Sequence, residues 1–126
     1  MVVLELAFRG RIRPVFNQAI LDEYRRVLRR PRFRLESSEV AAMVDALEGI
    51  GLETQEGNWP DPIPDSDDGK FLVAAAASEA TLVTGNLRDF PASARRGVRV
   101  FSPREFIDRY AGQILPFPRS TISDTE

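Results

Sequence analysis

Asp65, Asp67 and Asp68 stand together just before an alanine-rich stretch. Thr84, Asn86 and Asp89 stand just after the short apolar run that follows it. If that stretch is a helix and the run a parallel strand, both polar groups come to the edge where the strands end. That crevice is where open α/β sheets bind ligands. Converging carboxylates suit a hard divalent cation, which takes oxygen ligands. The chain has no histidine and no cysteine, which removes the commonest general base, the usual zinc ligands and thiolate chemistry. Hydrolysis in this chain would rest on carboxylates and an oxygen-bound metal.

The elements that position these acids follow from periodicity. The spacing predicts a helix from about Asp67 to Ala80, with Asp68 on the face shared by Phe71, Leu72 and Ala75. An inward carboxylate in a first helical turn needs a partner. Acids at helix starts also cap free N–H groups and favour the macrodipole, so at least one of the three aspartates is expected to do only that. The segment is not an EF-hand: with Gly69 as the loop glycine, Pro64 and Ala75 fall where carboxylate ligands are required. Upstream, Asn17 is a good N-cap for a helix over residues 18–30, stopped by Pro31. Its inward face is Ile20, Tyr24, Val27 and Leu28. At roughly 100° per residue, Glu23 lies beside that face while Asp22 points to water. Taken alone, Glu23 also fits an ordinary solvated helix glutamate, and Thr84, Asn86 and Asp89 fit ordinary turn residues.

The remaining elements are short. Residues 4–10 read as the end of a helix closing at Gly10, and residues 12–16 as a strand. Ser37 and Ser38 cap a helix over 39–49, with Val40, Met43, Val44 and Leu47 inward, followed by an edge strand over 52–55. Gly57, Pro60, Pro62 and Pro64 keep residues 56–64 irregular. The apolar run at 81–84 and residues 98–101 read as strands. Ser102, Pro103 and Glu105 open a last helix with a capping-box pattern, with Phe106, Ile107 and Tyr110 as apolar contacts. Strands separated by helices predict an α/β/α sandwich with a short parallel sheet. Its expected extent is 1–112, with 113–126 a loosely held tail.

With 126 residues the chain is one domain. No apolar run is long enough to span a bilayer, and no signal peptide is evident, so we expect a cytoplasmic protein with no membrane partner. The net charge of −2 does not advertise nucleic-acid binding. A basic run from Arg25 to Arg34 leaves room for it, against the plainer reading of a solvated helix face.

Three segments carry a family resemblance: AILDEYRRVLRRPRF, DSDDGKFLVAAAASEATLVTGNLRDFP and VRVFSPREFI. Together they resemble PIN-domain nucleases, especially the VapC-type toxins of prokaryotic toxin–antitoxin systems. The resemblance implies a ribonuclease that uses Mg²⁺ or Mn²⁺, acts on RNA, is neutralised by a cognate antitoxin protein and can form a homodimer. Glu23, Asp68 and Asp89 match the family's metal-binding acids, with Thr84 and Asn86 in the strand-end motif. The family opens on a strand ending in Asp-Thr-Asn, which has no counterpart at the start of this chain. Glu5 is a conceivable stand-in, but too few residues separate it from Ile12 for a crossover helix. The expectation is therefore a PIN fold truncated at its N-terminus and lacking a mid-sheet strand. A non-catalytic remnant that only binds protein is the alternative.

Overall fold

The computed structural model describes residues 6–110 and 119–122. A helical turn over residues 6–8 ends in a Schellman motif. Gly10 adopts φ +72°, its N–H donates to the Ala7 carbonyl, and the Arg11 N–H reaches back to Leu6. Strand β1, Arg13–Phe16, follows, with all but its first residue buried. Asn17 then caps helix α1, Gln18–Leu28, accepting the Ile20 N–H at 3.0 Å. The helix stops short of the expected residue 30, because Pro31 opens a separate 3₁₀ turn, Pro31–Phe33.

Helix α2 is Ser37–Ile50. Its cap is Glu36 rather than a serine: Glu39 Oε1 accepts the Glu36 N–H at 2.9 Å, so the helix begins before the expected residue 39. It ends at Gly51, where a Cβ would lie 2.8 Å from the Phe16 ring and 2.9 Å from the Leu47 carbonyl. Only glycine lets the chain turn so tightly into β2, Leu52–Glu53. A 3₁₀ turn, Ser66–Asp68, leads into α3, Gly69–Ser78, which ends as Glu79 turns left-handed at φ 55°. Then come β3, Thr81–Val83, β4, Val100–Phe101, and α4, Pro103–Tyr110.

The sheet has five parallel strands in the order β2-β1-β5-β3-β4. Its middle strand is the last in the chain: β5, Arg119–Ile122. Arg13 of β1 is in register with Arg119, and Thr81 and Val83 of β3 with Ser120 and Ile122. Two expectations change here. Part of the expected tail is a central strand, and the expected mid-sheet gap is filled, so β1 and β3 both find backbone partners. Met1 to Glu5, including the candidate stand-in Glu5, lie outside the described residues.

Both faces of the sheet are covered, as a parallel sheet requires. Neighbours in β3 point to opposite sides. Leu82 joins the cluster of Val15, Ile20, Val44, Phe71, Leu72 and Val100. Val83 joins Ala7, Ile12, Leu47 and Phe106. Ala74 and Ala75 of α3 are fully buried, so their small side chains let that helix pack closely.

Candidate functional site

The strands run in one direction, so Asn17 after β1 and Thr84 after β3 emerge at the same edge of the sheet. A cavity of about 220 Å³ opens there, lined by Glu23, Asp65, Asp67, Asp68, Thr84 and Asp89, with Arg26 and Arg30 also in its wall.

Each group arrives on a different device. Glu23 sits on α1 and is buried at 7% exposure, whereas the Asp22 side chain is exposed and pairs with Arg25 at 2.8 Å. The angular phase of the helix separates the two. Asp65 caps the 3₁₀ turn, its Oδ1 accepting the Asp67 N–H at 3.0 Å. Asp68 makes no side-chain cap to the helix it precedes, which leaves its carboxylate free to face the cavity. The start of α3 is held from outside by Trp59: a Cβ on Gly69 would stand 3.0 Å from the Trp59 Cβ. Trp59 is itself tied to the Ala94 carbonyl by a 2.7 Å hydrogen bond from its indole N–H. Thr84 is buried, and its Oγ1 accepts the Asn86 N–H at 3.0 Å, shaping the turn that leads to Asp89. The structure thus brings Glu23, Asp68, Thr84 and Asp89 to one cavity. The Asn86 side chain is exposed and is not part of the lining.

The electrostatics are uneven. Burial, and then the negative charges of Asp65, Glu23 and Asp89, push the Asp68 carboxyl up to about 6. Asp67 moves the other way, held down by its hydrogen bond from Lys70. Lys70 is the residue that the sequence reading missed. Its side chain is 9% exposed, and its Nζ lies 2.6 Å from Glu23 Oε1 and 2.8 Å from Asp67 Oδ2. Burial pulls that ammonium down, but the hydrogen bonds it donates to Asp67 and Glu23 outweigh it and raise its pKa. Arg26 adds a looser contact to Glu23 at 3.4 Å. The available signal for Lys70 was its i+3 spacing from Asp67, which places two side chains on one helical face.

The donors are all oxygen, and the repulsion around Asp68 is what a cation would relieve, so in chemistry the set fits a divalent ion. In geometry the fit is partial. No group of three carboxylates among the described residues is placed to hold one metal ion, and Glu23 is already committed to Lys70.

A family model described as a PIN domain matches residues 1–88. That span includes β1, α1, α3 and β3, hence Glu23, Asp68, Thr84 and Asn86, and stops just short of Asp89. No curated protein and no solved structure matches the chain. The matched span covers most of the sequence and carries most of the cavity, and on it the chain belongs to the PIN domain family.

Proposed function

We propose that this protein is a metal-dependent endoribonuclease and the toxin component of a toxin–antitoxin pair. The observation that carries the reading is one cavity lined by acids from three segments together with Arg26 and Arg30. Asp68 and Asp89 would hold Mg²⁺ or Mn²⁺. Such an ion supplies positive charge at a scissile phosphate and lowers the pKa of an attacking water. Arg26 and Arg30 grip a flanking phosphate through the planar guanidinium fork. Thr84 fixes the turn that sets Asp89 at the strand end. RNA as substrate, an antitoxin protein as partner, a homodimer and a cytoplasmic setting follow from the family resemblance. No helix among the described residues is long and apolar enough to cross a membrane.

The test is cleavage of a generic RNA in Mg²⁺ and in EDTA. Cleavage that requires the metal and disappears in Asp68→Asn supports the reading. Unchanged cleavage in EDTA overturns it. For the toxin role, induced expression in a bacterium should arrest growth, and co-expression of the neighbouring gene's product should relieve the arrest. One observation favours a second reading, a non-catalytic protein-binding domain: the pairing of Glu23 with Lys70 leaves two of the expected three metal-ligating acids uncommitted. Absence of cleavage together with absence of metal binding would select it.

A further inference from the structure

The arginine run from Arg25 to Arg34 enters the cavity only at Arg26 and Arg30. Six of the chain's 17 basic residues fall in this run, which holds no acid. In a chain of net charge −2 that concentration makes a local positive surface, not a general one. A helix C-terminus favours cations, and that plainer reading covers Arg25, Arg26 and the capping Arg29. It does not cover Arg32 and Arg34, which lie beyond the helix, in the turn Pro31–Phe33 and at its end. Ion pairing does not cover them either. Arg25 is bound to Asp22, and Arg26 loosely to Glu23. Arg29, Arg30, Arg32 and Arg34 are exposed and pair with no acid among the described residues.

The backbone lays the run out as a track. Arg26 and Arg29, three residues apart, stand on one side of the end of α1. Pro31 then redirects the chain, and the Arg34 N–H closes the turn on the Pro31 carbonyl at φ 52°. Within it the Arg32 guanidinium lies over the half-buried Phe33 ring, 4.9 Å from its centre. Positive charge thus runs from the cavity wall, over the end of α1, to a turn that carries an aromatic ring.

We infer that this run is a binding track for single-stranded RNA, holding the strand outside the cavity and leading it toward the acids. The inference rests on the ribonuclease reading for the choice of RNA. The surface itself calls for a chain of phosphates with unpaired bases. Guanidinium forks match phosphate oxygens. An aromatic ring and a guanidinium plane offer stacking to a base whose face is not hidden in a duplex. Arg29, Arg32 and Arg34 hold phosphates, and Phe33 with Arg32 holds one base. None of these contacts needs a divalent ion, and none uses the acids of the cavity.

The test is the anisotropy of a fluorescent oligouridylate with the full chain in EDTA, so that binding is read without metal or cleavage. The logarithm of affinity should fall linearly with the logarithm of salt concentration. Arg29→Gln/Arg32→Gln/Arg34→Gln should flatten that slope by about 2, and each single substitution by about 0.7. Phe33→Leu should weaken single-strand binding about tenfold with the slope unchanged, and leave binding of the duplex with oligoadenylate as it was. Arg9→Gln/Arg11→Gln/Arg104→Gln makes the same charge change at exposed positions outside the run and should keep the wild-type slope. Equal flattening in the two triple variants would mean bulk charge alone; it overturns the track and leaves the ribonuclease reading standing. Absence of single-strand binding by the wild type also overturns it. Displacement of the RNA by polyglutamate as readily as by unlabelled oligouridylate would overturn it in favour of an acidic protein segment. Wild-type protein that binds through the run but cleaves no RNA in Mg²⁺ keeps the track and removes the ribonuclease reading.

Discussion

Helices α3 and α4 both carry acid at their starts, three aspartates before α3 and Glu105 in α4, and they use it differently. At α4 the capping box is complete: Glu105 Oε1 accepts the Ser102 N–H at 2.9 Å, and Ser102 Oγ accepts the Glu105 N–H at 3.1 Å. That carboxylate is exposed and engaged with backbone through Oε1. At α3 the capping falls to Asp65 and the ion pairing to Asp67, while Asp68 is left half-buried with no cap bond. An acid at a helix start is a candidate for chemistry when its oxygens are not already committed to the helix. Composition alone does not separate the two cases; the partners do.

The most severe way to break this comparison is Asp68→Asn. Metal-dependent RNA cleavage should fall at least about a hundredfold, the upper end of losses from altered metal surroundings. Folding stability at neutral pH should rise at the same time, by on the order of 1 kcal/mol after allowing for solvent screening. The sign follows from the raised carboxyl. Its folded value of about 6 lies above the ordinary 3.8, so the folded state holds the proton more tightly. Wild-type stability should gain from this group as pH falls from about 6 toward 4, and lose it above. Thermal melting of wild type and Asp68→Asn across that window checks both points, since the variant should lack this gain.

Next in size is Glu23→Gln. It removes one partner of a buried pair and should cost about 3 kcal/mol in chemical denaturation, the low end for such a loss because Asp67 still holds Lys70. Asp22→Asn, one residue away but in water, should leave the denaturation midpoint where it was. Equal effects would remove the distinction between the two helix faces. The smallest effect belongs to the other helix start. Ser102→Ala should lower stability by about 1 kcal/mol and leave Mn²⁺ binding unchanged. Altered metal binding in that variant would mean that the two helix starts are not independent.

These contrasts were unevenly legible in the sequence. The inward phases of Glu23 and Asp68 could be read because each helix keeps a regular apolar period around Ile20, Val27, Phe71 and Leu72. The Asn17 cap and the Ser102–Glu105 box were equally local, and both stand. The cap of α2 moved to Glu36 because the Glu39 side chain at the third helical position accepts the Glu36 N–H and closes a capping box one residue ahead of the serines. β5 was not legible, because Arg119–Ile122 is short and polar and follows Pro116 and Pro118. Nothing local marks it as a strand; it becomes one by pairing with β1 and β3 on either side. Lys70 was hidden for a related reason. Its partner Glu23 is on another helix, and no one-dimensional period reports a contact across elements.

The position of β5 also sets an order of events in synthesis. Roughly a hundred residues separate Arg13 from its register partner Arg119, a pairing of high sequence separation that slows folding. At about 5–20 residues per second, the ribosome releases β5 some ~5–20 s after β1. During that interval β1 and β3 have no strand between them. Until β5 emerges, the sheet edge bearing the acids is not completed by this strand. A stall or stop codon upstream of Arg119 would leave β1–β2 and β3–β4 as two separate pairs.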